Sequence, residues 1–319
     1  MKILITGIHG FVGSNLVAAL KGGHEIYGLD IVAPQKEGVA KTFSWDDLDK
    51  GQLPKVDAII HLAGKAHDTR NKAGAEVYFK VNTDLTKKVF DYFSNHPETR
   101  KFIFFSSVKA AVDKVPGDVL TEDVTPCPVG PYGESKVRAE EYILGMLKSD
   151  APKYEGRDVI ILRPCMIHGP GNKGNLNLLY GVVSKGVPWP LGAFENRRTF
   201  TSIDNLTFVI NGILNKKVES GVYNMADDTA LSTNELIETI CFALGRKPSI
   251  WSINNGLIKF VAKVGDAIHL PLNTFRLDKL TENYVVSNAK IKKALGISKM
   301  PVDAREGLVK TIKSFQTKN

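Results

Sequence analysis

Two small groups of residues in this chain have the types and spacing to do chemistry. In the first, an apolar run from Lys2 breaks into Gly7, Gly10 and Gly13 and then into a helix-like stretch from Ser14. Gly7 permits a tight turn, and Gly10 lets the backbone lie against a pyrophosphate. Gly13 lets the helix pack closely on the strand, so that its free N–H groups point at phosphates. Asp30 follows about 20 residues on, at the end of the next strand. A carboxylate there accepts hydrogen bonds from a ribose diol and repels a 2′-phosphate, which favours NAD(H) over NADP(H). In the second group, Tyr132 and Lys136 lie four apart and share one helix face. An ammonium beside a phenol stabilises the phenolate and lowers its pKa. Such a tyrosine gives or takes a proton at a carbinol oxygen. Ser107, ending the preceding strand, would hydrogen-bond the same oxygen. Beside a dinucleotide site, these three describe hydride transfer between nicotinamide and a C–OH/C=O centre.

Positioning these groups requires alternating strands and helices. Buried parallel strands are expected at 56–62, 101–105 and 158–162, because each is a continuous apolar run. Residues 77–93 read as a helix with Val81, Leu85, Val89 and Phe93 on one face, and Pro131 opens a helix through Lys148. Further helices are expected at 205–216 and at 232–244, the latter with Ser232 and Glu235 as a capping box. The alternation implies an α/β fold, a doubly wound parallel sheet with a smaller C-terminal α/β domain. The expected division is 1–165 for the dinucleotide and 166–319 for the substrate, with the helix near 205–216 packing back on the first.

Composition narrows the function classes. The 319 residues are 43% hydrophobic and 24% charged, as in ordinary globular proteins. No apolar run reaches the roughly 18–20 residues a bilayer span needs, so no integral membrane association is expected. Residues 1–20 read as a folded strand and helix, not a signal peptide. The net charge of +8 comes from scattered basic residues, which suits anionic small molecules and not nucleic acid. Cys127, Cys165 and Cys241 show neither a disulfide framework nor zinc spacing, which points to a reducing cytoplasm. His61 and His67 flank Gly64 without metal-ligand spacing; no metal is expected, and His61 reads as a strand histidine.

The chain resembles the extended short-chain dehydrogenase/reductase family, the epimerases, dehydratases and reductases of nucleotide sugars. The resemblance covers nearly its whole length. It rests on the run from Thr6 to Gly13, Asp30, the run from His61 to Gly64, Asn82, Ser106, Ser107 and the Tyr132–Lys136 motif. Arg163-Pro164, Gly169-Pro170-Gly171, Arg198, Asn205 and Tyr223-Asn224 continue it. By this resemblance Tyr132 is the acid/base, Lys136 holds the nicotinamide ribose and tunes Tyr132, and Ser107 positions the reacting oxygen. The cofactor site would also include Phe11, Val12, Ile31, Leu62, Ala63, Gly64, Asn82, Ser106 and Cys165, with Asp46 or Trp45 bordering adenine. Asn175 and Leu176 would meet the substrate diphosphate at a helix start, and Arg198 would grip it. Arg276 is a weaker second candidate. A homodimer through the helices at 77–93 and 131–148 is also implied.

Two features depart from a plain galactose epimerase. Met166 stands where those enzymes usually place an asparagine that meets the substrate. The neighbourhood of Lys109 is similar to bacterial polysaccharide enzymes, including 4-keto reductases of UDP-N-acetylhexosamines; there Lys109 would meet a phosphate or sugar oxygen. The expected activity is hydride transfer at C4 of a UDP-hexose or UDP-N-acetylhexosamine, with 4-keto reduction slightly ahead of 4-epimerisation. A 4,6-dehydratase is disfavoured, because no aspartate–glutamate pair follows Ser107. A non-catalytic dinucleotide sensor is the alternative of another class. The amphipathic, basic stretch 257–268 is read as a helix packed over the sugar pocket rather than a membrane contact.

Overall fold

The computed structural model describes residues 1–65, 74–172, 174–268 and 273–316; His67 lies outside them. In chain order the first half comprises β1 (Lys2–Thr6), α1 (Phe11–Leu20), β2 (Glu25–Leu29), β3 (Lys41–Phe43), α2 (Trp45–Asp49), β4 (Ala58–His61) and α3 (Ala75–Tyr78). A π-helical turn (Phe79–Asp84) joins α3 to α4 (Leu85–Asn95), followed by β5 (Lys101–Phe105), α5 (Val108–Ala111), α6 (Pro131–Ser149) and β6 (Asp158–Pro164). The second half adds β7 (Met166–His168), α7 (Asn175–Val183), β8 (Phe200–Ser202), α8 (Ile203–Asn215), β9 (Gly221–Met225) and α9 (Thr233–Ala243). It closes with α10 (Asn255–Ile268), α11 (Thr274–Thr281), α12 (Ala289–Leu295) and α13 (Ala304–Gln316).

Seven strands form one parallel sheet in the order β3-β2-β1-β4-β5-β6-β9. Strand order reverses between β1 and β4, the crevice where open α/β sheets bind ligands at the carboxyl ends of their strands. Both faces are covered, which is why the strands read as unbroken apolar runs. Ile3 and Ile5 pack with Leu16, Leu206 and Val209 on one side, while Leu4 packs with Phe90, Phe102 and Ile143 on the other. Successive side chains of a strand point to opposite faces, so one pentapeptide feeds both layers.

The helix expected over 77–93 is longer and not uniformly α-helical: α3, the π turn and α4 run on from residue 75 to residue 95. The wider turn carries Asn82, whose side chain is held by two other segments described below. In α9 the expected capping box is present, with Ser232 Oγ accepting from Glu235 N–H at 3.0 Å and Glu235 Oε2 from Ser232 N–H at 2.8 Å. After β6 the chain leaves the sheet for the β7–β8 pair, then returns. α8 packs against α1, and β9 adds the seventh strand. Residues 203–225 thus belong spatially to the sheet, a longer return than the helix near 205–216 alone. The remaining second-half elements α7, α9 and α13 share a separate core around Leu176, Ile240 and Leu308. Among the described residues no helix is long and apolar enough to cross a membrane.

Candidate active site

The glycine turn is shaped by close backbone approach. Gly7 has φ +68°, and a Cβ there would lie 2.9 Å from Ala63 N. A Cβ on Gly13 would lie 2.6 Å from Gly7 O, so α1 is jammed against the turn. Gly10 caps α1, and Ser14 N–H bonds back to its carbonyl at 2.9 Å. The first-turn amides of α1, at Phe11, Val12 and Gly13, lack carbonyls one turn earlier and face the crevice. This cradle fits a pyrophosphate, and an added side chain at Gly7 or Gly13 would break it.

Asp30 closes the turn from the side. Its Oδ2 accepts from His9 N–H at 3.0 Å and its Oδ1 from Ile31 N–H at 2.7 Å. Ile31 itself is 84% exposed, and Asp46 is exposed on α2. Lys36 escaped sequence reading. Its ammonium donates to Ser14 Oγ at 2.7 Å and to Ile8 O at 3.1 Å, beside the same turn. Burial lowers the Lys36 pKa, and the charge of Asp30 partly restores it. Lys36 lies in an irregular loop with no periodicity to flag it, and only packing brings it to the glycines.

Ser107, Tyr132 and Lys136 meet in one cavity of about 420 Å³. Ser107 is the N-cap of α5, its Oγ accepting from Lys109 N–H at 3.2 Å. Gly130, at φ +84°, turns the chain into α6, and Pro131 opens that helix. Tyr132 therefore sits on the first turn, its ring edge-on to Tyr78 at 6.3 Å. Lys136 follows one turn later, donating to Phe105 O at 2.8 Å with its Nζ 5.0 Å from the Phe104 ring. Burial pushes the Lys136 pKa down to about 8, against the pull of Glu140.

The expected lowering of the Tyr132 pKa is corrected. Burial pushes the phenol up, the hydrogen-bonded Ser107 hydroxyl pulls it partly back, and Tyr78 adds a smaller push upward. The Lys136 ammonium is committed to a main-chain carbonyl, so desolvation of the phenolate wins.

Asn82 is fully buried and clasps the strand-end loop. Its Oδ1 accepts from Lys65 N–H at 2.8 Å, and its Nδ2 donates to Ser135 Oγ at 3.0 Å. A Cβ on Gly64 would come within 2.9 Å of Asn82 Oδ1 and 3.2 Å of Lys136 Nζ. Only glycine lets residues 62–65 pass this close over Lys136. Beneath, His61 is fully buried between Thr6 Oγ1 at 2.7 Å and Thr86 Oγ1 at 2.9 Å. Burial and the nearby Lys136 charge lower its pKa to about 3, so it is a neutral strand histidine.

Ser106 shares the cavity wall but gives its hydroxyl to Glu140. Glu140 also receives Arg163, with Nη2 to Oε2 at 2.5 Å, both side chains almost fully buried. Glu140 was missed by sequence reading, although it continues the Tyr132, Lys136 row at the same interval of four on α6. Cys165 lines the cavity, hydrogen-bonds Thr199 at 3.2 Å, and is pushed up to about 12 by burial, an inert thiol.

The opposite wall holds Met166, Lys109, Arg198, Glu282 and Tyr284. Arg198 is there as expected, but its guanidinium is already engaged. Nε donates to Glu282 O at 3.2 Å, Nη2 to Lys279 O, and the Glu282 carboxylate lies 3.5 Å away. Lys109 donates to Asp113 Oδ1 at 3.1 Å, and Lys279 reaches the same carboxylate at 2.9 Å. Three of the substrate candidates fall outside this cavity: Asn175 is exposed at the start of α7, Leu176 is buried in the second core, and Arg276 is exposed on α11. Asn205 is a buried clasp, bonding Asp227 at 2.7 Å and both main-chain groups of Val302.

A parallel sheet with a glycine cradle at its switch point, opening into a cavity with serine, tyrosine and lysine, defines a dinucleotide-dependent enzyme of the short-chain dehydrogenase type. The model of the NAD dependent epimerase/dehydratase family matches residues 3–226, and the chain belongs to that family, with NAD as cofactor. A UDP-glucose 4-epimerase of Vibrio cholerae is 29% identical over the whole chain and 96% of that relative. An N-acetylglucosaminyl-diphospho-undecaprenol 4-epimerase of Escherichia coli O157:H7 is 28% identical over 77% of this chain and 73% of its own. The UDP-N-acetylglucosamine 4-epimerase of Bacillus cereus superposes over all of both chains with a TM-score of 0.76 at 20% identity, a likeness of fold.

Proposed function

We propose that the protein interconverts C4 epimers of a UDP-hexose or UDP-N-acetylhexosamine using retained NAD. The observation that carries this is one cavity that runs from Val12, on the first turn of α1, to Ser107, Tyr132 and Lys136. The full-length similarity to a UDP-glucose 4-epimerase moves the reading from net 4-keto reduction, favoured on sequence alone, to epimerisation. NAD, when bound, supplies a hydride acceptor at C4. Tyr132 Oη takes the O4 proton, and Ser107 Oγ holds that oxygen against it. Lys136, one turn further along α6 and close to Gly64, would hold the nicotinamide ribose. Arg198 and Lys109 line the wall a diphosphate would face. The dinucleotide unit comprises residues 1–165 with the returning 203–225 and α12, which packs on α8 and β9, and the nucleotide-sugar unit is built around α7, α9 and α13.

A net 4-keto reductase is the second reading, favoured by Met166 in the cavity wall where a galactose epimerase is expected to carry an asparagine. Product analysis by NMR with UDP-glucose, UDP-N-acetylglucosamine and a 4-keto UDP-sugar separates the two. A new C4 epimer without change in absorbance at 340 nm supports epimerisation. Loss of added NADH absorbance with the 4-keto sugar alone overturns it in favour of reduction. NAD binding with no turnover on the panel overturns both.

We also propose a homodimer through the helical run 75–95 and α6. Val77 and Leu144 are exposed on these helices, whereas Tyr78 is buried against Tyr132. Monomeric mass by light scattering at micromolar concentration would count against the pairing.

A further inference from the structure

Helix α10 presents two apolar faces, and only one is packed. Ile258 and Ala262 are buried with Leu191 and Leu277, which anchors α10 over α11 and hence beside the cavity wall. Leu257, Phe260, Val261 and Val264 fall at i, i+3, i+4 and i+7, a single stripe, yet all are exposed, Phe260 by 63% and Leu257 by 55%. Among the described residues, nothing covers this stripe of the amphipathic helix. The residues between the two faces are Lys259 and Lys263, both exposed. The acid on this helix, Asp266, is bonded to Thr274 Oγ1 and N–H at its far end.

Two further exposed apolar residues lie outside the helix. Trp251, 54% exposed, precedes α10, and its N–H donates to Trp189 O at 2.8 Å. Val187, 50% exposed, lies two residues before Trp189. Arg246 donates to Ser184 O at 2.5 Å, which joins the same two segments. An apolar stripe with phenylalanine and tryptophan, flanked by lysines, matches an interfacial helix lying in the headgroup layer of a bilayer. It matches a second copy of this chain poorly, since a two-fold contact would bring the Lys259–Lys263 edge against its own like.

We propose that α10 docks the enzyme peripherally on an anionic phospholipid surface, through Leu257, Phe260, Val261 and Val264 with Lys259 and Lys263 against the headgroups. None of these residues lines the cavity, so docking leaves the active-site lining free for a soluble nucleotide sugar.

Flotation of the full chain, loaded with NAD, tests this with vesicles of phosphatidylglycerol and phosphatidylcholine and with phosphatidylcholine alone. The expected result is binding to the anionic vesicles, weakened by salt. Phe260→Glu should reduce it at least roughly tenfold, for one lost apolar anchor and one added like charge. The double variant Lys259→Gln, Lys263→Gln should lose the preference for phosphatidylglycerol. Unchanged NAD affinity and thermal midpoint would show that both variants are folded. Absence of vesicle binding by the parent protein overturns the proposal. So does a parent that self-associates in solution and becomes smaller on Phe260→Glu without any vesicle binding, which assigns the stripe to a second copy.

Discussion

The two walls of the cavity are built on different physical terms. The cofactor wall is fixed by backbone: Gly7, Gly13 and Gly64 have no room for a Cβ, and Asn82 and Thr6 fasten strand-end loops through main-chain hydrogen bonds. The proposed substrate wall is fixed by charges: Arg198 pairs with Glu282, and Asp113 pairs both with Lys109, four residues before it, and with Lys279, far away in sequence. A backbone cradle serves one unvarying pyrophosphate. A wall of exchangeable ion pairs can be re-paired by an incoming diphosphate, which replaces a carboxylate at Arg198 with phosphate oxygens. The first wall is thus expected to be insensitive to side-chain truncation of the second, and the reverse.

The largest effect is expected at the meeting point of the walls. Tyr132→Phe should lower turnover by at least roughly 100-fold, the lower end for a positioned acid–base group. NAD affinity, measured by fluorescence titration, should stay near the parent value. Turnover near that of the parent would remove Tyr132 from the proton transfer.

Arg198→Ala separates the walls next. If Arg198 grips the diphosphate, UDP and UDP-sugar affinity should fall roughly 10- to 150-fold, the worth of a charge-assisted bond at about 1.5–3 kcal/mol. NAD affinity should not change. Arg198→Lys should recover part of the loss, because it keeps the charge without the planar fork. Unchanged UDP affinity in calorimetry would sink the assignment.

Glu282→Gln acts in the opposite direction. It removes the carboxylate that pairs with Arg198, a partly exposed bridge worth up to about 1 kcal/mol. UDP affinity should therefore rise by up to roughly fivefold. A weaker UDP complex would mean that Glu282 orients Arg198 for the ligand and does not compete for it.

The smallest effects are expected at the ribose corner of the cofactor wall. NAD should bind more tightly than NADP, Asp30→Ala should narrow the gap, and Lys36→Ala should widen it by a few-fold, because Lys36 offsets the repulsion of a 2′-phosphate. Tighter NADP binding by the parent protein would show that Asp30 does not face the ribose.

The amino-acid sequence alone determined what is local. The strand–glycine–helix turn, Asp30 at the end of β2, the Tyr132–Lys136 spacing and the capping box at Ser232 each depend on neighbours within one turn or one strand. Period and residue type suffice for these, and the parallel sheet follows from their alternation. The tertiary structure alone decided the groups that depend on desolvation and distant partners. Glu140 finds Arg163 across 23 residues, Asn82 finds Ser135 across 53, and Tyr284 reaches Val112 across 172. The direction of the Tyr132 pKa also reversed, because packing buried its phenol and gave the Lys136 ammonium to the Phe105 carbonyl. Likewise the resemblance implied a diphosphate contact for Arg198, but not its present partners Lys279 and Glu282 at the end of α11. Spacing along a helix fixes which residues share a face. What lies opposite that face, and how much water remains between, is fixed only when the chain is packed.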